Sequence, residues 1–245
     1  GSGAWDVGVA NWFDAGTSIN AIGNRGTSPA TLSSADIAYF VGTAGTATIG
    51  STINVGGLNF GTTGYTLTTL SPSASSLNFA ATENAITLNS LNNANATSTV
   101  GATITGTVGG SGNVTVSGGL AAGLVANTLT LNGVSAGGWS GATTIGVAQT
   151  IALSGLSQAL LNTSGITLNG GSITVTNTSG AEAALNRIAN AAAITSNGGS
   201  IVFTNTASAS INYSEALGNI SLASGLLTVT QTNANTSPST QTLAL

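Results

Sequence analysis

Residues Asn169-Gly170-Gly171-Ser172-Ile173-Thr174-Val175-Thr176-Asn177-Thr178 read N-G-G-S-I-T-V-T-N-T, and 28 positions later Asn197–Thr206 read N-G-G-S-I-V-F-T-N-T. Apolar residues fall at every second position, Ile173 and Val175 in one copy and Ile201 and Phe203 in the other. Spacing of i and i+2 puts side chains on one face of a strand, with the intervening residues on the other. Thr on the second face is β-branched and suits a pleated, half-exposed surface. The Gly-Gly pair before each run supplies a corner where φ can be positive. Asn beside it tolerates the left-handed region and can build hydrogen-bonded ladders when copies stack.

The same grammar extends outward over most of the chain. Thr46-Ala47-Thr48-Ile49, Tyr65-Thr66-Leu67-Thr68, Asn113-Val114-Thr115-Val116 and Leu226-Leu227-Thr228-Val229 alternate in the same way between Gly, Asn or Ser turns. Runs of about 4–5 residues are short for a sandwich. Stacked coil upon coil, their inner faces join into one buried column. The expected fold is therefore all-β, a right-handed parallel β-helix (β-solenoid) with an aromatic-rich N-terminal cap. Loops of unequal length leave the coil size open at roughly 20–28 residues, which gives about 8–10 coils and a body roughly 40–50 Å long.

Two segments depart from this grammar. Residues 1–42 hold Trp5, Trp12, Phe13, Tyr39 and Phe40, together with Asp6, Asp14 and Asp36. A solenoid needs its end covered, so 1–42 is read as an N-terminal cap or inter-subunit contact segment, and 43–245 as the solenoid body. Residues 179–191, S-G-A-E-A-A-L-N-R-I-A-N-A, are Ala-rich. They predict a short helix or an irregular loop leaving the solenoid, and Gln158–Leu161 predicts a single turn.

Composition excludes several functions. Only 3% of the 245 residues are charged and the formal net charge is −4. The cations are Arg25 and Arg187, so there is no basic patch for a nucleic-acid backbone. No apolar run is long enough for a membrane helix, and no membrane insertion is expected. Without Cys or His there is no thiolate or imidazole metal site, and no Ser-His-Asp triad. Asp6, Asp14 and Asp36 are the candidate calcium oxygens, although turn or capping roles explain them as well. Glu182 and Glu215, 33 apart, could fall on nearby coils as a glycosidase-like pair; a repeated structural corner explains the two better. No cofactor is expected, and no enzymatic activity.

One region resembles a known family. In Asn127–Ile151, Thr128, Leu129, Thr130, Leu131, Gly133, Gly141 and Thr143 match the core of the autotransporter-associated β-strand repeat, and Trp139 stands where that repeat has an aromatic. Its usual final Gly is missing, with Gln149 in that region. Trp5–Phe13 and Ser34–Phe40 are similar to segments that open such passenger regions. The resemblance implies a parallel β-helix exported to the cell surface, and it implies no chemistry. The β-barrel translocator expected of such proteins is not within these residues.

Two roles follow as expectations. In the first, the chain is a non-enzymatic extracellular structural protein that polymerises head to tail with itself, by coil stacking or by terminal-strand exchange. Trp5, Trp12, Phe13, Tyr39 and Phe40 would form contacts at one end. Leu243 and Leu245, in the alternating Thr240–Leu245, would do so at the other. In the second, it is a monomeric adhesin passenger that binds surface glycans or a host surface, with Trp139 as a stacking platform. The bland reading of Trp139 is that it packs over a corner.

Overall fold

The computed structural model describes residues 2–5, 36–71, 75–89, 99–119, 126–133, 137–182, 185–206, 212–234 and 240–244. Among them the strands stack in two long sheets, and every strand pair is parallel. The nine-stranded sheet runs, in stacking order, through Gly3–Trp5, Thr46–Ile49, Tyr65–Thr69, Gly101–Ile104, Asn127–Asn132, Gln149–Ser154, Ser172–Asn177, Gly199–Asn205 and Leu227–Asn233. The eight-stranded sheet runs through Ile37–Phe40, Gly57–Phe60, Glu83–Leu88, Asn113–Gly118, Thr143–Ile145, Gly165–Leu168, Ala193–Ser196 and Ile220–Leu222. Thr52–Val55, Ser76–Phe79 and Val108–Gly109 form a three-stranded sheet, and Tyr213–Ala216 pairs with Gln241–Ala244. Strand order follows chain order within both long sheets and neither sheet closes into a barrel, which is the topology of a β-solenoid. At the usual strand spacing the nine-stranded sheet is roughly 40 Å long.

The 28-residue repeat is one turn of this coil. Ser172 lies against Ser200, Ile173 against Ile201 and Asn177 against Asn205, and the next coil keeps the step with Ile201 against Val229. Elsewhere the step varies: Thr46 pairs with Thr66, but Tyr65 pairs with Ala102. Extra residues are accommodated between strands, so the ladders stay in register while the coil length changes.

Register converts alternation into columns. Ala38, Leu58, Ile86, Val116, Ile145 and Leu168 follow one another down the eight-stranded sheet, and each is fully buried. Leu67, Ile104, Leu131, Leu153, Val175 and Phe203 do the same in the nine-stranded sheet. Burying each such side chain contributes about 1.5–3 kcal/mol. No single coil could bury both of its faces, so cohesion lies between coils.

Buried polar residues close the corners. Asn127 accepts the Val100 N–H at 2.8 Å and donates to the Leu88 carbonyl at 3.0 Å, tying three coils. The described residues of 1–42 supply the first strand of each long sheet. There Phe40 stacks on Phe60 at 4.9 Å and meets Trp5 edge-on at 5.5 Å.

The Ala-rich segment corrects its expectation. Its described part holds a single 3-10 turn at Gly180–Glu182 and no α-helix. It also does not leave the column: Ile188 is buried and bridges to Leu160. Burial of Ile188 and the ion pair formed by its neighbour Arg187 outweigh a helix too short to be stable alone. The turn expected at Gln158–Leu161 is present, closed by the Leu161 N–H donating to the Gln158 carbonyl.

Candidate functional site

Two places concentrate features that a simple stack of coils does not need. The first is a buried corner containing three of the charged residues. Arg187 is 1% exposed, Glu182 4% and Glu215 6%. The guanidinium donates to the carbonyls of Leu153, Thr176 and Gly155 and forms an ion pair with Glu182 at 3.1 Å. Glu182 also accepts from the Thr178 N–H and the Thr178 and Ser179 hydroxyls. Glu215, from the neighbouring strand Tyr213–Ala216, accepts the backbone N–H groups of Arg187 and Ile188. Burial pushes the Glu215 carboxyl up to about 7, against the opposing pull of those N–H bonds and the Arg187 charge. Burial lowers the Arg187 guanidinium from its ordinary value, and Glu182 opposes that shift.

The structure thus brings Glu182 and Glu215 to one corner, as their spacing allowed. The carboxylate oxygens of both acids and the terminal guanidinium nitrogens are engaged by protein groups, leaving only the Arg187 Nε without an acceptor. The cavity beside it, lined by Glu182, Tyr213, Glu215 and Gln241 among others, is about 10 Å³, room for a water and none for a sugar. A glycosidase pair must flank a substrate bond, and these carboxylates flank an arginine. Sequence reasoning singled out both acids but missed Arg187; a cation flanked in sequence by an acid within an Ala-rich, otherwise neutral run was the available signal.

The second place is the C-terminal end of the column. Of the inward positions of the last described coil, Ile220 and Leu227 stay partly buried against the core while others are exposed. Val229 continues the column of Ile173 and Ile201, both fully buried, yet is 39% exposed. Leu222 continues the column of Leu168 and Ser196 and is 67% exposed, and Leu226 is exposed at the corner before Leu227–Asn233. At the opposite end Trp5, Ala38 and Phe40 are buried. Among the described residues the two ends therefore differ: Trp5, Ala38 and Phe40 are covered at one, and Leu222 and Val229 are exposed at the other.

The predicted contact residues distribute as follows. Trp5 and Phe40 are core residues of the N-terminal end, and Tyr39 is half-buried on the opposite face of its strand. Leu243 packs partly against the core from Gln241–Ala244, a strand already paired with Tyr213–Ala216 of its own chain. Trp12, Phe13 and Leu245 lie outside the described residues. Trp139 is corrected as a glycan platform. It is fully buried, edge-on to Phe79 at 5.6 Å, and its indole N–H donates to the Thr143 hydroxyl. No ring face is open to a sugar, and the corner-packing reading describes it. Of the candidate calcium oxygens, Asp6 and Asp14 lie outside the described residues. Among the described residues no three Asp or Glu side chains converge on a metal position.

No family model matches the chain, and no solved structure matches it. A stretch of 67 residues, 27% of the chain, is 43% identical to a protein named Adhesin BmaC autotransporter from Brucella suis biovar 1 (strain 1330). That stretch covers 2% of the Brucella protein. The chain is thus similar, over about a quarter of its length, to a small part of an autotransporter adhesin.

Proposed function

We propose that this chain is a non-enzymatic structural segment of a bacterial cell-surface protein of the adhesin type, and that it assembles head to tail into a filament. The observation that carries the reading is the uncovered interior of the last coil. Leu222 and Val229 expose apolar surface at positions whose counterparts in the preceding coils are buried. A second copy stacking there continues an arrangement the molecule already uses along its own length. Such a contact is heterologous and produces an open filament. The last coil carries no charged side chain from Asn219 to Asn233, so nothing blocks edge pairing by repulsion. The similarity to an autotransporter adhesin supports a surface location, and the buried, saturated state of Glu182 and Glu215 supports the absence of catalysis.

Negative-stain electron microscopy and light scattering over a concentration series test this. Filaments are expected without added factors and are expected to disappear in Leu222→Asp/Val229→Asp, whose changes lie at exposed positions and leave the body folded. Monomers at every concentration would sink the proposal. The similarity to an adhesin favours a second reading, a monomeric passenger that binds glycan or a host surface. Specific binding of monomeric protein to a glycan array would establish that reading in place of the filament.

A further inference from the structure

The flank of the column carries an ordered array that neither reading uses. On the outer face of the nine-stranded sheet, Thr128, Thr150, Ser172, Ser200 and Thr228 lie directly one above another. Two residues along each strand runs a second column, Thr130, Ala152, Thr174, Val202 and Thr230. That column extends back through Thr103, Thr66 and Thr46. Thr176, Thr204 and Thr232 begin a third. Ala152 and Val202 interrupt the hydroxyls of the second column and Asn132 stands on the same face beside Ser154, with no charged or aromatic side chain among them. The positions of the three columns from Thr128 to Thr204 are half-buried and those on the last strand are exposed.

We infer that this face is a binding surface for ice, recognising the ordered water of a crystal plane. The array repeats at about 4.8 Å between strands and about 6.7 Å along them, the dimensions of a sheet read every second residue. Both repeats lie within about a tenth of those of water oxygens on a prism face of hexagonal ice. In-register pairing holds the columns straight over five successive coils. Thr is restricted at χ1, so its hydroxyl and methyl are already ordered and little side-chain entropy is lost on binding. Ser172 and Ser200, which lack the methyl that restricts χ1 in Thr, turn their hydroxyls to 2.8 Å from each other, so the regular spacing is carried by the Thr positions. A hydroxyl beside a methyl at each site both bonds lattice water and fills the space between lattice waters. A carbohydrate surface fits less well, because sugar sites generally add an aromatic platform to their polar groups and this face has none. The eight-stranded sheet has only one comparable column, Thr115, Thr144, Thr167 and Thr195, and one column does not make a plane.

The test is partition of the intact chain into slowly grown polycrystalline ice, with freezing-point hysteresis measured alongside. The wild-type protein is expected to be enriched several-fold in the ice over a protein of similar size. Thr174→Tyr, at the centre of the array, should abolish enrichment. Thr167→Tyr, on the other sheet, should retain it. Matching circular dichroism spectra and melting curves establish that both variants are folded. Exclusion of the wild-type protein from ice overturns the inference, and so does equal loss in both variants. Retention on insoluble cellulose or chitin without ice enrichment would overturn it in favour of a polysaccharide. Monomer and filament display the same flank, so failure here leaves the filament proposal standing, and the reverse holds too.

Discussion

At the residue scale three of the chain's eight charges, Glu182, Arg187 and Glu215, sit buried, where a charge is most costly. Arg187 sits in a corner with three carbonyl acceptors and Glu182, and breaking a buried pair of this kind costs about 3–5 kcal/mol. Glu215 is the unusual member, because burial raises its carboxyl to about 7 from an ordinary 4.5. The folded state therefore holds this proton more tightly than the unfolded chain. The stability it confers is full below about 4.5, falls as pH rises towards 7 and is flat above, for a loss on the order of 3 kcal/mol. Glu215→Gln keeps an oxygen to accept the Arg187 and Ile188 N–H groups and removes the titration. Melting temperature against pH should accordingly lose its decline between pH 4.5 and 7 in this variant, which should match or exceed the wild type at pH 8. An unchanged decline would show that other groups set it. This corner was half legible in the sequence: the 33-residue gap placed both acids near each other, but only the fold shows that the space between them belongs to Arg187. Trp139 was read both as a stacking platform and as packed over a corner, and the sequence did not decide between them, since an isolated Trp in a Gly-rich run has no periodic neighbours to show which way it faces.

At the element scale, alternation predicted the strands and the Asn-Gly-Gly corners predicted the coil. The repeat offset of 28 residues became the register of Ser172 against Ser200, and of Ser200 against Thr228, because two successive coils share that length, whereas Thr128 to Thr150 and Thr150 to Ser172 each step by 22. The longer coils were not legible, since loops between strands carry no periodicity. The Ala-rich segment misled for the opposite reason: its propensity is local, whereas Ile188 answers to a distant partner, Leu160. Corners differ in how much they tolerate. Gly199 has φ +126°, and a Cβ there would lie 2.1 Å from the Gly171 carbonyl oxygen of the coil beneath. Gly133 has φ +66° with no atom within 4 Å of the same position. Gly199→Ala should therefore destabilise by about 3 kcal/mol through backbone strain and overpacking together, and Gly133→Ala by about 1 kcal/mol through strain alone. Ala148, at φ +55° in the turn before Gln149–Ser154, should respond in the other direction. Replacing it with Gly relieves about 1 kcal/mol of strain, partly offset by chain entropy. Urea midpoints of the three variants check the order, and equal effects at Gly133 and Gly199 would refute the coil-to-coil contact as its cause.

At the scale of the whole molecule, each coil touches only its neighbours, so stability is close to a sum of coils and the interfaces between them. An end coil has one interface where an inner coil has two. The described N-terminal strands place Trp5 and Phe40 in the core. Among the described residues the last coil has no compensation of that kind, and this was only partly legible: Leu227-Thr228-Val229 alternates like a buried strand, while Gln231, which continues the column of Val175 and Phe203, breaks the pattern. Its exposure is a property of position in the stack. Local opening should accordingly be easiest there. In monomeric protein, amide hydrogen exchange at Leu227–Asn233 is expected to be much faster than at Gln149–Ser154, which has a coil on either side. In assembled material the difference should vanish if the next copy stacks on that coil, since the strand then gains the second interface its sequence is built for. If assembly instead proceeds by strand exchange, protection changes at Gln241–Ala244 while Leu227–Asn233 stays fast. Slow exchange at Leu227–Asn233 in the monomer would mean that the last coil is already closed, and that the filament is not built from this end.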